Sequence, residues 1–438
     1  MDAPTSLTAR HELDVRSLVQ CPSGGGDATP HRVHRRIYTD PAVFEAELER
    51  IFGRTWVFVG HESQVAKPGD FHTTTIGRQP VIVTRTDEDE LVVLLNRCTH
   101  RASIVCQERS GNTRFFRCPY HGWSFRPDGT LIGFTFNDGY DDPDMCLEDF
   151  TLGRAPRVES YRGFVFASLA ETGSTLLEHL GNAAMYIDLF VDLSPTGRLK
   201  LGEPGESRYS FAGNWKLQSE NGVDGYHPNF VHAAFLEGAA PNGRAMKMFT
   251  GSSACEAADL GNGHALLDQR PVVGDIFERH FAATPHGRAH REALEDRLGP
   301  ERAREVVRTN GGQGLNLLVF PNLLFIQYHA RVVHPRRVDH TDVELFPILF
   351  DDAPEVLNMQ RLRGHEGFYG PAGGGVPGDL EMFRRVQEGL ACESMDWLSF
   401  ERGRKRTKVG PNGELIGQIT DEHPQRGLYR RWLAEMTN

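Results

Sequence analysis

Apolar residues recur at helical spacing in the segment that begins at Asp40. Asp40 suits an N-cap and Pro41 the first helical position. The residues that would form one buried face are Phe44, Leu48, Ile51 and Phe52. The pattern predicts a packed helix over residues 40–54. Residues 1–39 hold few apolar positions and a glycine run, Gly24–Gly26, so we expect a mobile N-terminal arm there.

From Thr55 to Leu169 the pattern changes to short β-type runs. These runs are Val81–Thr84, Leu91–Leu95 and Phe164–Leu169, and turn signals such as Arg126-Pro127-Asp128-Gly129 separate them. The pattern predicts a small all-β domain over residues 55–169.

Residues 170–438 mix helical and strand patterns. A polar helical segment covers Ala289–Val307, and two long strands are predicted at Leu323–Val333 and Val343–Phe350. A final helix is predicted to begin near Asp379, with one face formed by Leu380, Phe383, Val386 and Leu390. This order favours an α+β domain with an antiparallel sheet. We expect the helix of residues 40–54 to pack on this second domain.

Composition narrows the class of protein. The chain has 438 residues, is 39% hydrophobic and 24% charged, and carries a formal charge of −11, so it is a globular protein for which nucleic acid is an unsuitable main partner. Neither a signal peptide nor an apolar run of membrane-spanning length is present in the sequence, which predicts a cytoplasmic protein without a membrane partner.

Two of the seven cysteines stand in a metal-binding pattern. Cys98-Thr99-His100 is followed, after seventeen residues, by Cys118-Pro119-Tyr120-His121. Two thiolates and two imidazoles suit a tetrahedral zinc or a Rieske [2Fe–2S] cluster. Zinc fingers group their cysteines together and their histidines together, whereas here each loop supplies one of each. The pattern therefore favours the cluster, and the other five cysteines are interpreted as ordinary thiols.

This stretch resembles the Rieske domain of bacterial aromatic ring-hydroxylating oxygenases, including Gly122-Trp123 after the last ligand. Respiratory Rieske proteins carry an additional cysteine in each loop and form a disulfide. Ser103 and Tyr120 occupy those places here. The absence of the disulfide implies a lower-potential cluster, which suits an oxygenase supplied by NADH.

A second pattern lies in the predicted α+β domain. Asn214-Trp215-Lys216 precedes Asp224-x2-His227-x4-His232. On an undistorted helix His227 and His232 would lie about 140° apart, so they can share a metal only if Pro228 bends the segment. By spacing alone, two satisfied core histidines beside a helix break are the simpler interpretation. The resemblance to the same oxygenases favours a ferrous site, with His227 and His232 as ligands and Asp224 as a carboxylate that hydrogen-bonds a ligand histidine.

The third ferrous ligand is implied by the resemblance alone. In the family it is an Asp that follows a segment like Tyr369-Gly370-Pro371-Ala372-Gly373, and Asp379 is the matching position. Gly378 replaces the first acid of the family's usual pair. Taken alone, Asp379 also suits a helix N-cap. Glu381 and Asp396 are the alternative ligands.

The resemblance extends from about Ile37 to Tyr429 and implies the large (α) subunit of a terminal oxygenase. It implies one [2Fe–2S] cluster and one Fe²⁺ per chain, O₂ as co-substrate, and a catalytic domain with a long curved antiparallel sheet. The implied partners are a separate NADH-dependent reductase, with or without a ferredoxin, and possibly a small β subunit. A homotrimer or an α3β3 assembly is implied, in which Asp224 joins His121 of one chain to His227 of the next.

The substrate is indicated by subfamily resemblance. Gly77–Val81 and Glu220–His227 resemble enzymes of benzoate-type aromatic acids, such as those acting on benzoate, anthranilate and salicylate. A buried carboxylate needs a cationic partner, and Arg331 is the candidate, although an Arg that holds the sheet together is the simpler interpretation. Two alternatives stay open: a Rieske monooxygenase or demethylase acting on another aromatic ring, and a dioxygenase of a neutral arene. A pure electron carrier is disfavoured, because a Rieske domain needs only about a quarter of this length.

Overall fold

The computed structural model describes residues 14–21, 29–140, 146–235, 254–309, 314–370 and 372–438. Within these ranges the strands are β1 (Val19–Gln20), β2 (Arg32–His34), β3 (Val57–His61), β4 (Asp70–Ile76), β5 (Gln79–Arg85), β6 (Leu91–Leu95), β7 (Ser110–Asn112), β8 (Phe116–Arg117), β9 (Ser124–Phe125), β10 (Leu131–Gly133), β11 (Arg157–Tyr161), β12 (Phe164–Ser168), β13 (Leu199–Leu201), β14 (Ser207–Phe211), β15 (Glu256–Gly261), β16 (His264–Asp268), β17 (Leu315–Val319), β18 (Leu323–Ile326), β19 (His329–Arg337), β20 (His340–Phe350), β21 (Trp397–Ser399), β22 (Lys408–Val409) and β23 (Leu415–Gln418).

The α-helices in the same ranges are α1 (Arg36–Thr39), α2 (Pro41–Glu47), α3 (Leu176–Leu180), α4 (Ala183–Asp192), α5 (Trp215–Gly222), α6 (Pro228–Val231), α7 (Arg270–Ala283), α8 (Pro285–Leu298), α9 (Pro300–Thr309), α10 (Glu355–Tyr369), α11 (Val376–Gly389) and α12 (His423–Thr437). None of them is both long enough and apolar enough to cross a lipid bilayer. The predicted α+β class is confirmed.

The expectation of a mobile arm over residues 1–39 is wrong for the described part of that segment. β1 pairs with β2, and β2 pairs with β21 from the far end of the chain. Val33, Ile37 and Tyr38 are fully buried. Their packing partners lie hundreds of residues away, so local composition gave no signal of order. Residues 1–13 and 22–28, with the Gly24–Gly26 run, lie outside the described residues.

The helix predicted after Asp40 is present as α2, continued by a π-helical turn over Leu48–Phe52. The Asp40 side chain accepts a hydrogen bond from the amide of Ala42, and Pro41 occupies the first turn. The helix α2 contacts the second domain through one buried acidic residue, Glu47. Glu47 accepts hydrogen bonds from the side chains of Lys216 (2.5 Å), Trp215 (2.9 Å) and Trp432 (2.6 Å).

Three small antiparallel sheets build the described part of the β domain. Their strand orders are β6-β5-β4-β7, β10-β9-β8 and β11-β12-β3. A separate apolar cluster fills this part of the molecule and includes Cys98, Cys118 and Trp123. The two Cys-His loops thus project from a rigid β framework.

A ten-stranded antiparallel sheet dominates the second domain, in the order β13-β20-β19-β18-β17-β16-β15-β23-β22, with β14 also paired to β20. The single long strand predicted at Leu323–Val333 is wrong, because the segment forms the hairpin β18–β19. The chain turns at Gln327, whose φ is 57°. Apolar residues continue through both strands, so the run carried no break to mark the turn.

Two helix predictions also change. The helical segment at Ala289–Val307 spans two helices, α8 and α9, which meet at Gly299. The helix near Asp379 begins at Val376 and is not the last one, since α12 follows. Its predicted apolar face is only partly buried: Phe383 and Leu390 are buried, but Val386 is 40% exposed.

Candidate metal centres and substrate cavity

The two Cys-His loops come together in the β domain. Cys98 and Cys118 are each 2% exposed, and burial together with the neighbouring Cys118 thiol raises the pKa of Cys98. The rings of His100 and His121 are partly exposed, with centroids 4.7 Å apart. Two thiols thus face the protein interior while two imidazoles approach the surface. This separation suits a cluster with one iron on cysteines and the other on histidines.

A single tetrahedral zinc fits these four residues less well. Among the described residues, one group of three or more His, Cys, Asp and Glu has all its donor atoms within 4.8 Å of one another, and it does not include these four. A lone zinc would require such convergence, since its bonds are only about 2.0–2.3 Å long. No disulfide joins cysteines in the described part of the chain.

The local backbone fixes the second loop tightly. Gly122 has a φ of +73°, and a Cβ there would lie 2.1 Å from Oγ1 of Thr135, so the position requires glycine. The indole of Trp123 stacks on His100 with a centroid distance of 4.7 Å. Tyr120 is 56% exposed and covers His121, with ring centroids 3.8 Å apart. The Gly-Trp pair therefore orients both histidine loops.

The group whose donor atoms converge is His227, His232 and Asp379. Oδ1 of Asp379 lies 3.5 Å from Nε2 of His227 and 3.3 Å from Nε2 of His232. All three side chains are at least four-fifths buried. Two imidazoles and one carboxylate on one side of a shared point are the donor set of a ferrous facial triad.

The local fold explains how the two histidines meet. The sequence predicted a bend at Pro228, and the structure instead starts a separate four-residue helix, α6, at that proline. His227 and His232 flank this helix directly at its two ends. Their ring centroids are 5.3 Å apart, with an interplanar angle of 74°.

The charges of the group favour an anionic carboxylate. Burial raises the pKa of Asp379. The hydrogen bond from His232 and the charges of His227, His232 and Arg331 lower it by more, so the pKa lies below its ordinary value. Burial lowers the pKa of His227, but Asp224 and Asp379 raise it more, and the net change is upward. Such a cluster is well suited to a divalent cation.

Asp224 lies next to this group and is 34% exposed. Its Oδ1 accepts hydrogen bonds from the amides of Tyr226 (2.5 Å) and His227 (3.2 Å). Its Oδ2 lies 3.8 Å from Nδ1 of His227. The carboxylate thus contacts the back of a ring whose Nε2 faces Asp379, and its outer side reaches the surface.

Neither of the two alternative third ligands lies where it could bind the same metal as the histidines. Glu381 is paired with Arg384 and Arg385 on the outer face of α11, and the side chain of Asp396 is 49% exposed and lies near Arg35. Neither belongs to the converging group. Asp379 also does not cap its helix, because Gly375 is the N-cap.

The glycine at position 378, which departs from the family pattern, is explained by close packing. A Cβ at this position would lie 3.0 Å from Cγ1 of Val231, closer than ordinary contact. Any side chain there would press on α6, which holds the two histidines.

A cavity of about 480 Å³ opens onto the three convergent residues. Its wall includes the aromatic side chains Phe235, Tyr328, Phe368 and Tyr369. Arg331 also lines it and is 2% exposed. A volume of this size suits a small ligand.

Arg331 is a buried cation that forms no ion pair within 4.0 Å among the described residues, although its charge reaches Asp379 and lowers the pKa of that carboxyl. Its Nε makes no hydrogen bond to the part of the chain that the structure describes, and its guanidinium carbon lies 5.4 Å from the ring centroid of Tyr369. A buried guanidinium that merely held the sheet would be expected to use its donors on the protein. Here they remain available to the cavity.

Asn221 is a site residue to which the sequence assigned no role. Its Nδ2 lies within hydrogen-bond distance of both His227 and Asp379. The aromatic wall residues Phe235 and Phe368 were also missed. Asn221 stands inside the Glu220–His227 motif, so its position there was the available signal, whereas nothing local marks the aromatic residues.

Comparisons with known proteins identify both domains. A family model described as "Rieske [2Fe-2S] domain" matches residues 55–146, and one described as "Ring hydroxylating alpha subunit (catalytic domain)" matches residues 199–436. The large subunit of 2-halobenzoate 1,2-dioxygenase from Burkholderia cepacia is 36% identical, over 94% of this chain and 87% of the relative. The alpha subunit of toluate 1,2-dioxygenase from Pseudomonas putida is 35% identical, over 90% of this chain and 86% of the relative.

Anthranilate 1,2-dioxygenase large subunit from Acinetobacter baylyi is 32% identical over 97% of this chain and 92% of its own length. A solved structure of naphthalene 1,2-dioxygenase with indole bound in its active site superposes with a TM-score of 0.81 at 26% identity, covering 93% of this chain and 92% of that one.

The fold and the two sites together define a Rieske-type non-heme iron oxygenase. Within that class, the chain belongs to the family of ring-hydroxylating dioxygenase alpha subunits. The predicted cofactors are confirmed at this level: a [2Fe–2S] cluster, a mononuclear iron, and dioxygen as co-substrate.

Proposed function

We propose that this protein dihydroxylates the ring of a benzoate-type aromatic carboxylate. Arg331 carries the proposal, because a buried guanidinium with no ion pair among the described residues lines the same cavity as His227, His232 and Asp379. The names of the halobenzoate, toluate and anthranilate relatives support an acid substrate. The overall reaction would consume one O₂, two electrons and two protons and place both oxygen atoms on the ring.

In this proposal Cys98, His100, Cys118 and His121 hold the cluster, and His227, His232 and Asp379 hold the iron. When bound, the cluster supplies one-electron transfer and the ferrous ion activates dioxygen. Asp224 orients the His227 ring through its Nδ1 side and would contact His121 of a neighbouring subunit.

Arg331 would pair with the substrate carboxylate and so fix which ring carbons approach the metal group. A charge-assisted, bidentate pair supplies both affinity and orientation. The aromatic wall formed by Phe235, Phe368 and Tyr369 would contact the ring and exclude water from it. Electrons would come from NADH through a separate reductase, with or without a ferredoxin, and a trimeric assembly, with or without a small β subunit, would complete the enzyme.

Turnover of matched substrates tests the proposal. We expect the reconstituted enzyme to convert benzoate in ¹⁸O₂ to a product carrying two labelled atoms. Arg331→Gln should raise KM for benzoate about ten- to a hundredfold, the worth of a hydrogen bond to a charged group, while KM for benzamide changes little. Arg331→Lys should recover part of the affinity for the acid.

The matched control is Arg337→Gln, because Arg337 lies on the same strand, β19, but is exposed and paired with Asp339 outside the cavity. Equal losses for acid and amide would give Arg331 a structural role. One labelled oxygen atom would indicate a monooxygenase, and preference for an unsubstituted arene would indicate a neutral substrate.

A further inference from the structure

A second cavity, of about 430 Å³, lies beside the catalytic cavity. It is lined by residues of α7, α8 and α10, together with Tyr328 and Phe350. Tyr328 and Arg363 line both cavities. The two cavities are therefore immediate neighbours.

Arg361 is the charged group of this second cavity. It is 6% exposed, and the hydrogen bond it makes within the described ranges runs from its Nε to the carbonyl of Ile348, at 2.6 Å. Its guanidinium carbon lies 4.5 Å from the ring centroid of Phe350 and 5.6 Å from that of Tyr328. Burial lowers the pKa of Arg361 to about 10, so the group is still cationic at neutral pH.

No acid balances this cation within the described part of the chain. No Asp or Glu oxygen described there lies within 4.0 Å of Arg361. The described residues of the lining include no carboxylate, and they include the basic side chains His280, His286 and Arg363. An unpaired buried guanidinium costs free energy, and an anion that enters the cavity would recover it.

The rest of the lining selects the kind of anion. Among the described lining residues are the aromatic side chains Phe277, Phe281, Tyr328 and Phe350. Aromatic rings around one buried guanidinium match a ligand with a flat apolar body and a single carboxylate. A small inorganic anion would leave the apolar walls without contacts.

We propose that this cavity binds a second molecule of the aromatic carboxylate and holds it at Arg361 before it passes Tyr328 into the catalytic cavity. The class of ligand rests on the proposed function, while the position of the site does not. Arg361 acts here as a binding residue of an outer site, and Arg331 as that of the inner one.

Equilibrium dialysis of radiolabelled benzoate against the holoenzyme counts the sites. We expect about two benzoates per chain in the unaltered protein and about one in either Arg361→Gln or Arg331→Gln. Arg361→Lys, which retains the charge, should keep the outer site at reduced affinity. Binding of one benzoate that Arg361→Gln leaves unchanged and Arg331→Gln abolishes would overturn the outer site and leave the proposed function intact. Two benzoates per chain, of which Arg361→Gln removes one and Arg331→Gln removes none, would do the reverse and overturn the role that the proposed function gives Arg331.

A second pair of variants tests the same site at exposed positions, so that the result does not depend on replacing the buried Arg361. Ile276 lines the cavity, and Val272 lies one helical turn earlier on α7 outside the lining; each is 48% exposed. Ile276→Trp should fill the cavity, remove the outer benzoate and lower kcat/KM for benzoate about tenfold without changing kcat at saturation. Val272→Trp should leave binding and kinetics unchanged. Identical behaviour of the two tryptophan variants would contradict an outer site on the substrate's route.

Discussion

Nδ2 of Asn221 lies 3.2 Å from Oδ1 of Asp379 and 3.2 Å from Nε2 of His227. One amide thus spans two of the three convergent groups, although it arrives from a different helix, α5. Partners of this kind orient metal ligands and raise metal affinity.

Loss of this amide should weaken iron binding. We expect Asn221→Ala to reduce the affinity of the iron-depleted protein for Fe²⁺ about tenfold or more, as is usual for groups that support a ligand. Asn316→Ala is the control, because Asn316 lines the same cavity but donates to the carbonyl of Gly222. Equal affinities in the two variants would assign Asn221 no part in holding the iron.

Metal analysis should find about three irons and two acid-labile sulfides per chain. His227→Ala, His232→Ala and Asp379→Ala should each lower the iron content by about one atom, abolish product and leave the visible spectrum of the cluster unchanged. Glu381→Ala and Asp396→Ala should keep full iron and activity, because both side chains lie away from the group. Stoichiometric zinc without labile sulfide would refute the cluster.

Electron transfer across the subunit interface should depend on the charge of Asp224. We expect Asp224→Asn to keep both metal centres filled but to block reduction of the iron by the cluster, measured by rapid mixing with a chemical reductant. A chain with Cys118→Ser and a chain with His232→Ala should each be inactive, yet mixed oligomers of the two should regain part of the activity. Mixed oligomers that stay inactive with both kinds of centre intact would place the electron path within one chain.

Glu220 should make stability depend on pH. Burial raises the pKa of its carboxyl to about 7, and the hydrogen bonds from Tyr429 and Tyr38 and the charge of Lys216 only partly oppose this. In the unfolded chain the acid ionises near pH 4.5. Its stabilising contribution is therefore complete below pH 4.5 and is lost as the pH rises to about 7, a change of up to about 3 kcal/mol.

Glu220→Gln should remove that pH dependence between pH 4.5 and 7, measured as the difference in Tm from the unaltered protein. Glu366→Gln is the control, since Glu366 is exposed on α10. A Tm difference that stays constant across this pH range in both variants would show that Glu220 is ionised in the folded state.

The sequence predicted the elements whose signal is local. The runs at Leu91–Leu95 and Val343–Phe350 form strands within β6 and β20, because their nearly continuous apolar residues, with valine, isoleucine and phenylalanine among them, mark them without reference to the rest of the chain. It failed where the signal comes from distant partners. The segment before Asp40 is ordered by β21 and α12, and the hairpin at Gln327 interrupts an apolar run that had no turn residue to mark it.

The site divides in the same way. His227 and His232 stand in one short motif, so their proximity was predictable, although the mode of bending was not. Asp379 required a family resemblance, because nothing near it indicates that α11 packs beside α6. The availability of Arg331 could be learned only from the cavity, since the sequence does not reveal which cations lack an ion pair.

The contacts of Glu47 determine the order in which parts of this protein can fold during translation. Residues 36–52 are synthesised early, but two of their buried contacts are made with the end of the chain. Glu47 accepts a hydrogen bond from Trp432, and Tyr38 hydrogen-bonds with Tyr429. The β domain, whose strands are close in sequence, can fold on the ribosome while α1 and α2 still lack the surface that buries them. The helices α1 and α2 are therefore translated early but packed late. Until α12 emerges, their apolar faces are exposed to chaperones and proteases.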